Sequence, residues 1–133
     1  MIMTYLKPVL AFLFFALTFT SCAQKDKIIG IWDVETDDYD AVYEIVENDN
    51  TFFGKVHYYN DGATEYKGDN KKEDYFLTGL EYKNGNYING KMYLPDGSFY
   101  NVIFTLNDDN TLEALMTVDN QPYKEIWKRN TTY

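Results

Sequence analysis

Few side chains in these 133 residues are of the kinds that do covalent chemistry. There is one histidine, His57, one cysteine, Cys22, and after Ser21 a single serine, Ser98. A nucleophile and its general base would have to be Ser98 and His57, and such a pair works only within hydrogen-bond reach. Ser98 falls in the run Pro95-Asp96-Gly97-Ser98, where a small polar residue is ordinary, and nothing in the spacing brings it to His57. No enzyme is expected. The adjacent acids Asp37-Asp38 and Asp108-Asp109 lack the one-three-five spacing of a calcium loop and read as solvated turns. A lone cysteine excludes an intrachain disulfide and a Cys-rich zinc site. Neither a metal nor a cofactor is expected.

The chemistry left is recognition. Tyrosine occurs 13 times, and only Tyr5 precedes the cysteine. Its ring suits a half-buried strand and its hydroxyl gives a pocket a polar tip. Tyr43, Tyr58, Tyr100, Phe104, Met116 and Trp127 fall on apolar strand faces and could line a small apolar pocket. In so small a domain the same rings could equally fill the core. Alternation also puts Glu125 and Arg129 on the face of Trp127. A buried carboxylate costs several kcal/mol unless it is paired, so Glu125 is expected to meet Arg129 or a ligand. The stretch after the leader carries 11 cations and 21 acids, a net charge of 11 − 21 = −10. That balance argues against nucleic acid, against attraction to anionic lipid heads, and against a large anion as guest.

Residues 1–21 read as a signal peptide. One cation, Lys7, precedes the apolar run Val9 to Phe19, which is shorter than the ~20 residues that span a bilayer. The run ends in Phe19-Thr20-Ser21-Cys22, which resembles a bacterial lipobox, although Phe19 stands where Leu is usual. Cys22 is then the lipid attachment site, and thioether formation would account for one cysteine in an exported chain. Ordinary secretion, with cleavage near Ala23 or Gln24, is the alternative. Residues 22–27 form a short tether. About seven residues separate the cysteine from Gly30, a reach of at most about 25 Å.

From residue 28 to 130 the pattern is strands and turns, with no helix-length run of 3.6 periodicity. Strands are expected over Ile28 to Glu35, Ala41 to Glu47, Thr51 to Tyr59 and Tyr75 to Lys83. Four more follow over Asn86 to Leu94, Ser98 to Leu106, Thr111 to Val118 and Tyr123 to Lys128. Asn84-Gly85 is a type I′ hairpin signature, because both residues need positive φ. Pro95-Asp96-Gly97 marks another tight turn. Asn60 to Asp74 is the longest connection and reads as a mobile flap. Alternation places Ile28, Gly30, Trp32 and Val34 inward, with Tyr100, Val102, Phe104, Leu112, Ala114 and Met116 on later strands. Eight antiparallel strands with one buried face predict an all-β, up-and-down barrel, with an eight-strand sandwich as the rival.

Two motifs sharpen this. Gly30-Ile31-Trp32 on the first strand, answered by Trp127-Lys128-Arg129 on the last, looks like the closing seam of a lipocalin-type (calycin-like) barrel. Gly30, Trp32 and Arg129 are its structural residues. The middle and end of the chain resemble a bacterial envelope family, domain of unknown function 2147, usually regarded as lipocalin-like. The resemblance rests on Gly30-Ile31-Trp32, Phe53-Gly54-Lys55-Val56, Phe76-Leu77-Thr78-Gly79-Leu80, Gly90-Lys91-Met92-Tyr93 running into Pro95-Asp96-Gly97 and Tyr100, Leu112-Glu113, and Trp127-Lys128-Arg129. It spans essentially Ile28 to Arg129. Family members often have Cys where this chain has Phe53, and Arg-Gly where it has Ala114-Leu115, so no role of those groups transfers. The resemblance implies a fold and an envelope address and carries no activity.

Two functions follow as expectations. One is a membrane-anchored envelope lipoprotein whose barrel binds a small apolar ligand. The other is a structural or stress-related lipoprotein with a filled barrel, acting through protein contacts. The expected location is the cell envelope, at the outer membrane rather than the inner, with a soluble periplasmic or secreted form as the alternative. Membrane attachment runs through the lipid alone, and the mouth flanked by residues 60–74 points away from it. Cys22→Ser should therefore move the protein into the soluble fraction of the envelope. An unmodified Cys22 in the mass of the mature protein, or a mature start beyond it, would refute the anchor.

Overall fold

The computed structural model describes residues 24–68, 75–94 and 96–132. The expected leader 1–21, Cys22 and residues 69–74 of the long connection lie outside the described residues. Nine strands are described: β1 (Gly30–Glu35), β2 (Asp40–Asn48), β3 (Thr51–Asn60), β4 (Glu65–Tyr66), β5 (Tyr75–Lys83), β6 (Asn86–Tyr93), β7 (Phe99–Asp108), β8 (Thr111–Val118) and β9 (Gln121–Arg129). Eight of them form one closed antiparallel ring in the order β2-β1-β9-β8-β7-β6-β5-β3, with β3 pairing back to β2. The fold is an up-and-down barrel, not a sandwich. The two-residue β4 folds back on the end of β3, pairing Tyr66 with Tyr59 and Glu65 with Asn60. The first half of the expected flap is thus an ordered hairpin. The Asp61 carboxylate holds its turn by accepting from the backbone N–H of Ala63 at 2.9 Å and of Thr64 at 2.6 Å.

Turn chemistry sets the meander. Asp49-Asn50, Asn84-Gly85 and Asp119-Asn120 all have positive φ at both positions, the backbone of two-residue type I′ hairpins. Asn and Asp tolerate that conformation because their short polar side chains bond the local main chain. The turns at 49–50, 84–85 and 109–110 lie at one end of the barrel. Those at 36–39, 61–64, 96–98 and 119–120 lie at the other, which is called the open end below.

The opposite end is closed by the chain itself. A 3-10 turn, Asp26–Ile28, precedes β1, and Ile28 is fully buried. Tyr87 reaches up from β6 and donates to the carbonyl of Lys25 at 2.8 Å. The Trp32 indole N–H donates to the Ile28 carbonyl at 3.0 Å. Arg129 completes the closure, its guanidinium carbon 4.3 Å from the centre of the Trp32 ring. Its Nε donates to the carbonyl of Asp109 at 2.8 Å and its Nη1 to that of Ile29 at 3.0 Å, while Nη2 donates to that of Lys27. Gly30 has φ +142°, and a Cβ built there would lie 2.5 Å from Arg129 Nη1, so any side chain there would have to push the guanidinium out of its clamp. The seam needs such help, because β1 meets β9 over three residue pairs whereas β2 meets β3 over nine.

The core is the ring of inward side chains: Trp32, Val34, Tyr43, Ile45, Phe52, Leu77, Leu80, Tyr87, Val102, Phe104, Leu112, Met116 and Trp127, with others. Loss of a large core aromatic removes both its transfer free energy and the packing around the void. Trp32→Ala should lower stability by about 3–5 kcal/mol in urea unfolding. Arg129→Lys keeps the charge but loses the planar fork, and should cost about 2–4 kcal/mol. An Arg129→Lys protein as stable as the original would show that the fork is idle.

Candidate functional site at the open end of the barrel

Among the described residues, Glu125 is the one buried acidic or basic side chain, 5% exposed, one inward step along β9 from Trp127. The Tyr39 hydroxyl lies 2.7 Å from each of its oxygens, and the Trp127 indole N–H donates to one of them at 3.2 Å. Arg129 does not reach it. Among the described residues no Lys, Arg or His lies within ion-pair distance of this carboxylate.

Tyr39 is positioned by a four-residue turn between β1 and β2. Thr36 accepts from Tyr39 N–H through its hydroxyl at 3.0 Å, and Thr36 N–H donates back to the Tyr39 carbonyl at 2.9 Å. A threonine bonding its own turn in this way fixes the loop, and the ring of Tyr39 is delivered over the barrel's end. There it stacks on Tyr59 at 5.3 Å between centroids. Beneath, Tyr43 stacks on Phe76 at 4.1 Å and lies 5.1 Å from Trp127, whose far side meets Phe104 at 4.8 Å. The result is a carboxylate set among aromatic rings, with hydroxyls at their tips.

These surroundings hold the phenols neutral. Burial, then the proximity of Tyr43 and Glu125, pushes the Tyr39 hydroxyl far above the ordinary tyrosine range. Burial, followed by Glu125, does the same to Tyr43. Tyr59 is raised more by burial than by neighbouring Asp61.

Of the side chains expected to line a pocket, Tyr43, Phe104, Met116 and Trp127 stand in the buried cluster. Tyr100 is opposite Met92 on the inward row but half-buried near the rim, outside that cluster. Tyr58 is a correction. A bulge in β3 pairs Val56 with Tyr43 but Tyr58 with Val42, leaving His57 as the extra residue. The alternation changes phase there, so Tyr58 faces outward with Val42 and Tyr59 packs on the core instead. Tyr39, Tyr59 and Phe76 were not anticipated. The signals were an aromatic in an otherwise acidic turn and a Tyr-Tyr pair whose phase alternation cannot choose. Gly30, Trp32 and Arg129 meet at the closed end, away from this site.

The residues considered for catalysis stay apart. The Ser98 hydroxyl donates to Asp96 at 2.6 Å, and His57 Nε2 lies 2.8 Å from Glu44 on the outer surface. Among the described residues no three of His, Cys, Asp or Glu gather to hold a metal ion. Two clefts, of about 680 and 210 Å³, lie at the closed end: one runs along Asp108, Lys128 and Arg129, the other lies between Gln24, Tyr82 and Tyr87. Neither enters from the open end.

The sequence matches no family model and no curated protein. Its structure resembles that of protein HP1028 from the human pathogen Helicobacter pylori, described as belonging to the lipocalin family. The two share 23% identity at a TM-score of 0.62, over 79% of this chain and 84% of that one. The fold is therefore a lipocalin-like barrel.

An acid whose folded pKa is raised contributes stability that is complete below its unfolded value and lost as pH rises through the folded one. Tyr87, pushed up to about 12 mainly by burial and next by Tyr82, sets the window, and Tyr39 and Tyr43 extend it upward. Stability should fall as pH climbs from about 10 toward 12 and beyond. In an alkaline titration followed by tyrosinate absorbance, Tyr39 and Tyr43 should ionise only with unfolding, and Tyr87 not before about pH 12. Full tyrosinate signal in a barrel that is still folded would contradict their burial.

Proposed function

We propose that this protein is an exported, lipid-anchored envelope protein whose barrel takes a small, partly apolar molecule at its open end. The observation that carries the reading is Glu125. A barrel serving only as a spacer gains nothing from a carboxylate in its core, since well-packed apolar residues of similar size are as stable or more so. Buried polar groups amid apolar rings are the ordinary make-up of a ligand site, and lipocalin-like barrels of this size accommodate at most one small guest. Trp32, Phe52, Tyr87 and Phe104 fill the closed half. The guest therefore lodges above Trp127 and enters as Tyr39 swings out on its turn. Envelope address and anchor rest on the leader, on Cys22 in its lipobox-like setting, and on the resemblance to domain of unknown function 2147. The outer membrane is the favoured site. Binding, not catalysis, is the work proposed.

A second reading has its own support: a structural or stress-related lipoprotein that works through protein contacts. The outer faces of β7 to β9 expose Phe99, Ile103, Leu115 and Ile126, with Ile103 directly opposite Leu115. Native mass spectrometry of protein purified from its own envelope separates the two. A bound species of small mass, released when Trp127 is replaced by Ala, is the expected result. Repeated recovery of the bare mass, or of a complex with another protein, would favour the second reading.

A further inference from the structure

We infer that the guest is an organic cation, an amine or quaternary ammonium on an apolar body, with Glu125 as its counter-charge and Tyr39 as the group it displaces. The inference rests on the open-end binding reading and adds the ligand's chemical class.

Counting hydrogens carries it. A carboxylate offers about four lone-pair positions, and a phenol has one hydrogen to donate. The two 2.7 Å contacts from Tyr39 therefore share a single proton, and Trp127 supplies the only other donor described. Glu125 is touched on both oxygens yet holds two hydrogens. An ammonium group would bring its charge and, unless quaternary, further N–H donors to the same place. A neutral apolar guest that displaced Tyr39 would leave the carboxylate with Trp127 alone, and an anion would be repelled.

The walls agree with this. Tyr39, Tyr43, Tyr59, Phe76 and Trp127 pack on one another beside the carboxylate, and moving Tyr39 bares the face of Tyr59 that it covers; aromatic faces attract cations most strongly where water is excluded. The approach agrees as well. The open-end turns carry Asp37, Asp38, Asp61, Asp96 and Asp119, and the one lysine described there, Lys67, is held by Glu65 at 3.2 Å. With a net charge of −9 on the whole chain, a cation is drawn to this rim and an anion is turned away.

Tyr39 is free to be displaced without breaking a strand, because it sits part-exposed on a turn at the rim. A guest cation exchanges a neutral O–H donor for an ion pair in the same low-dielectric place.

The test uses three probes with one body and different charge: phenethylamine, 2-phenylethanol and phenylacetate. The chain has two tryptophans, and their indole N–H groups sit at opposite ends of the barrel, Trp127 on Glu125 and Trp32 on Ile28. In nitrogen–proton NMR spectra the protonated amine should shift the Trp127 signal and leave Trp32 unmoved. It should bind about tenfold or more tighter than the alcohol, and phenylacetate should not bind. Glu125→Gln should abolish the preference for the amine. Tyr39→Phe, which removes the competing hydroxyl, should strengthen amine binding severalfold, and it serves as the test if the Gln variant fails to fold. Equal binding of amine and alcohol, or a preference that survives Glu125→Gln, overturns the cation assignment and leaves open-end binding standing. No shift at Trp127 from any probe overturns both.

Discussion

One guanidinium decides the shape of this molecule. Arg129 stands at the end of the last strand and covers the indole of the first, while its nitrogens take carbonyls from the 3-10 turn and from the β7–β8 hairpin. Those bonds tie the last strand to the chain that folds over the barrel's end. The cation over the ring adds roughly 0.5–2 kcal/mol, depending on how much water is excluded. Larger than either term is what they permit. With three residue pairs, the β1–β9 seam is, equally with β3–β5, one of the two shortest joins between neighbouring strands of the ring. Asn130 extends it, its N–H donating to the Ile31 carbonyl at 2.9 Å and its side-chain amide to Asp33 at 2.9 Å.

Closing one end so firmly makes the barrel asymmetric. Below Trp127 the interior is rings and branched aliphatics with their few polar atoms bonded to main chain. Above it the interior holds a carboxylate and the hydroxyls of Tyr39 and Tyr43, beside strands that end in acidic turns. Such a polar cluster near the closed end would compete with the packing that holds the seam. At the open end it disturbs little, because the strands there are already giving way to turns. The part of the structure that could change shape for a guest is thus separated from the part that keeps the barrel shut. The clamp and its main-chain bonds stand at one end and the buried carboxylate with its phenols at the other.

How much of this could be read beforehand depended on what alternation measures. Period two identifies a face, and it served wherever strands were regular: Trp32 and Val34, Phe104, the row Leu112, Ala114, Met116, and Glu125 itself all point as their parity requires. It measures neither height along the barrel nor phase across a bulge. Glu125 and Arg129 share a face but lie four residues apart on an extended strand, about 13 Å, so the acid could not meet that cation. Tyr58 was misplaced because one extra residue, His57, reverses the phase for everything after it. Tyr39 stands outside the strands altogether. A turn residue has no parity, and its place over Glu125 follows from the bonding of Thr36 within the loop.

The N-terminal side of the closed end bears on how the molecule would sit at a membrane. Counting every residue before β1 as free chain suggests a tether of about 25 Å. The structure shortens that figure. Tyr87 holds the carbonyls of Gln24 and Lys25, Arg129 holds that of Lys27, and Lys25 forms an ion pair with Glu47 at 3.6 Å. The chain is therefore bound to the barrel from Gln24 onward. On the lipid-anchored reading, Cys22 stands two residues before the first docked carbonyl, a span of about 7 Å. So short a link would set the closed end against the lipid, with the clamp nearest the surface. The open end would then face away, and a guest would approach Glu125 from the aqueous side, past acids that are drawn to cations and clear of the bilayer.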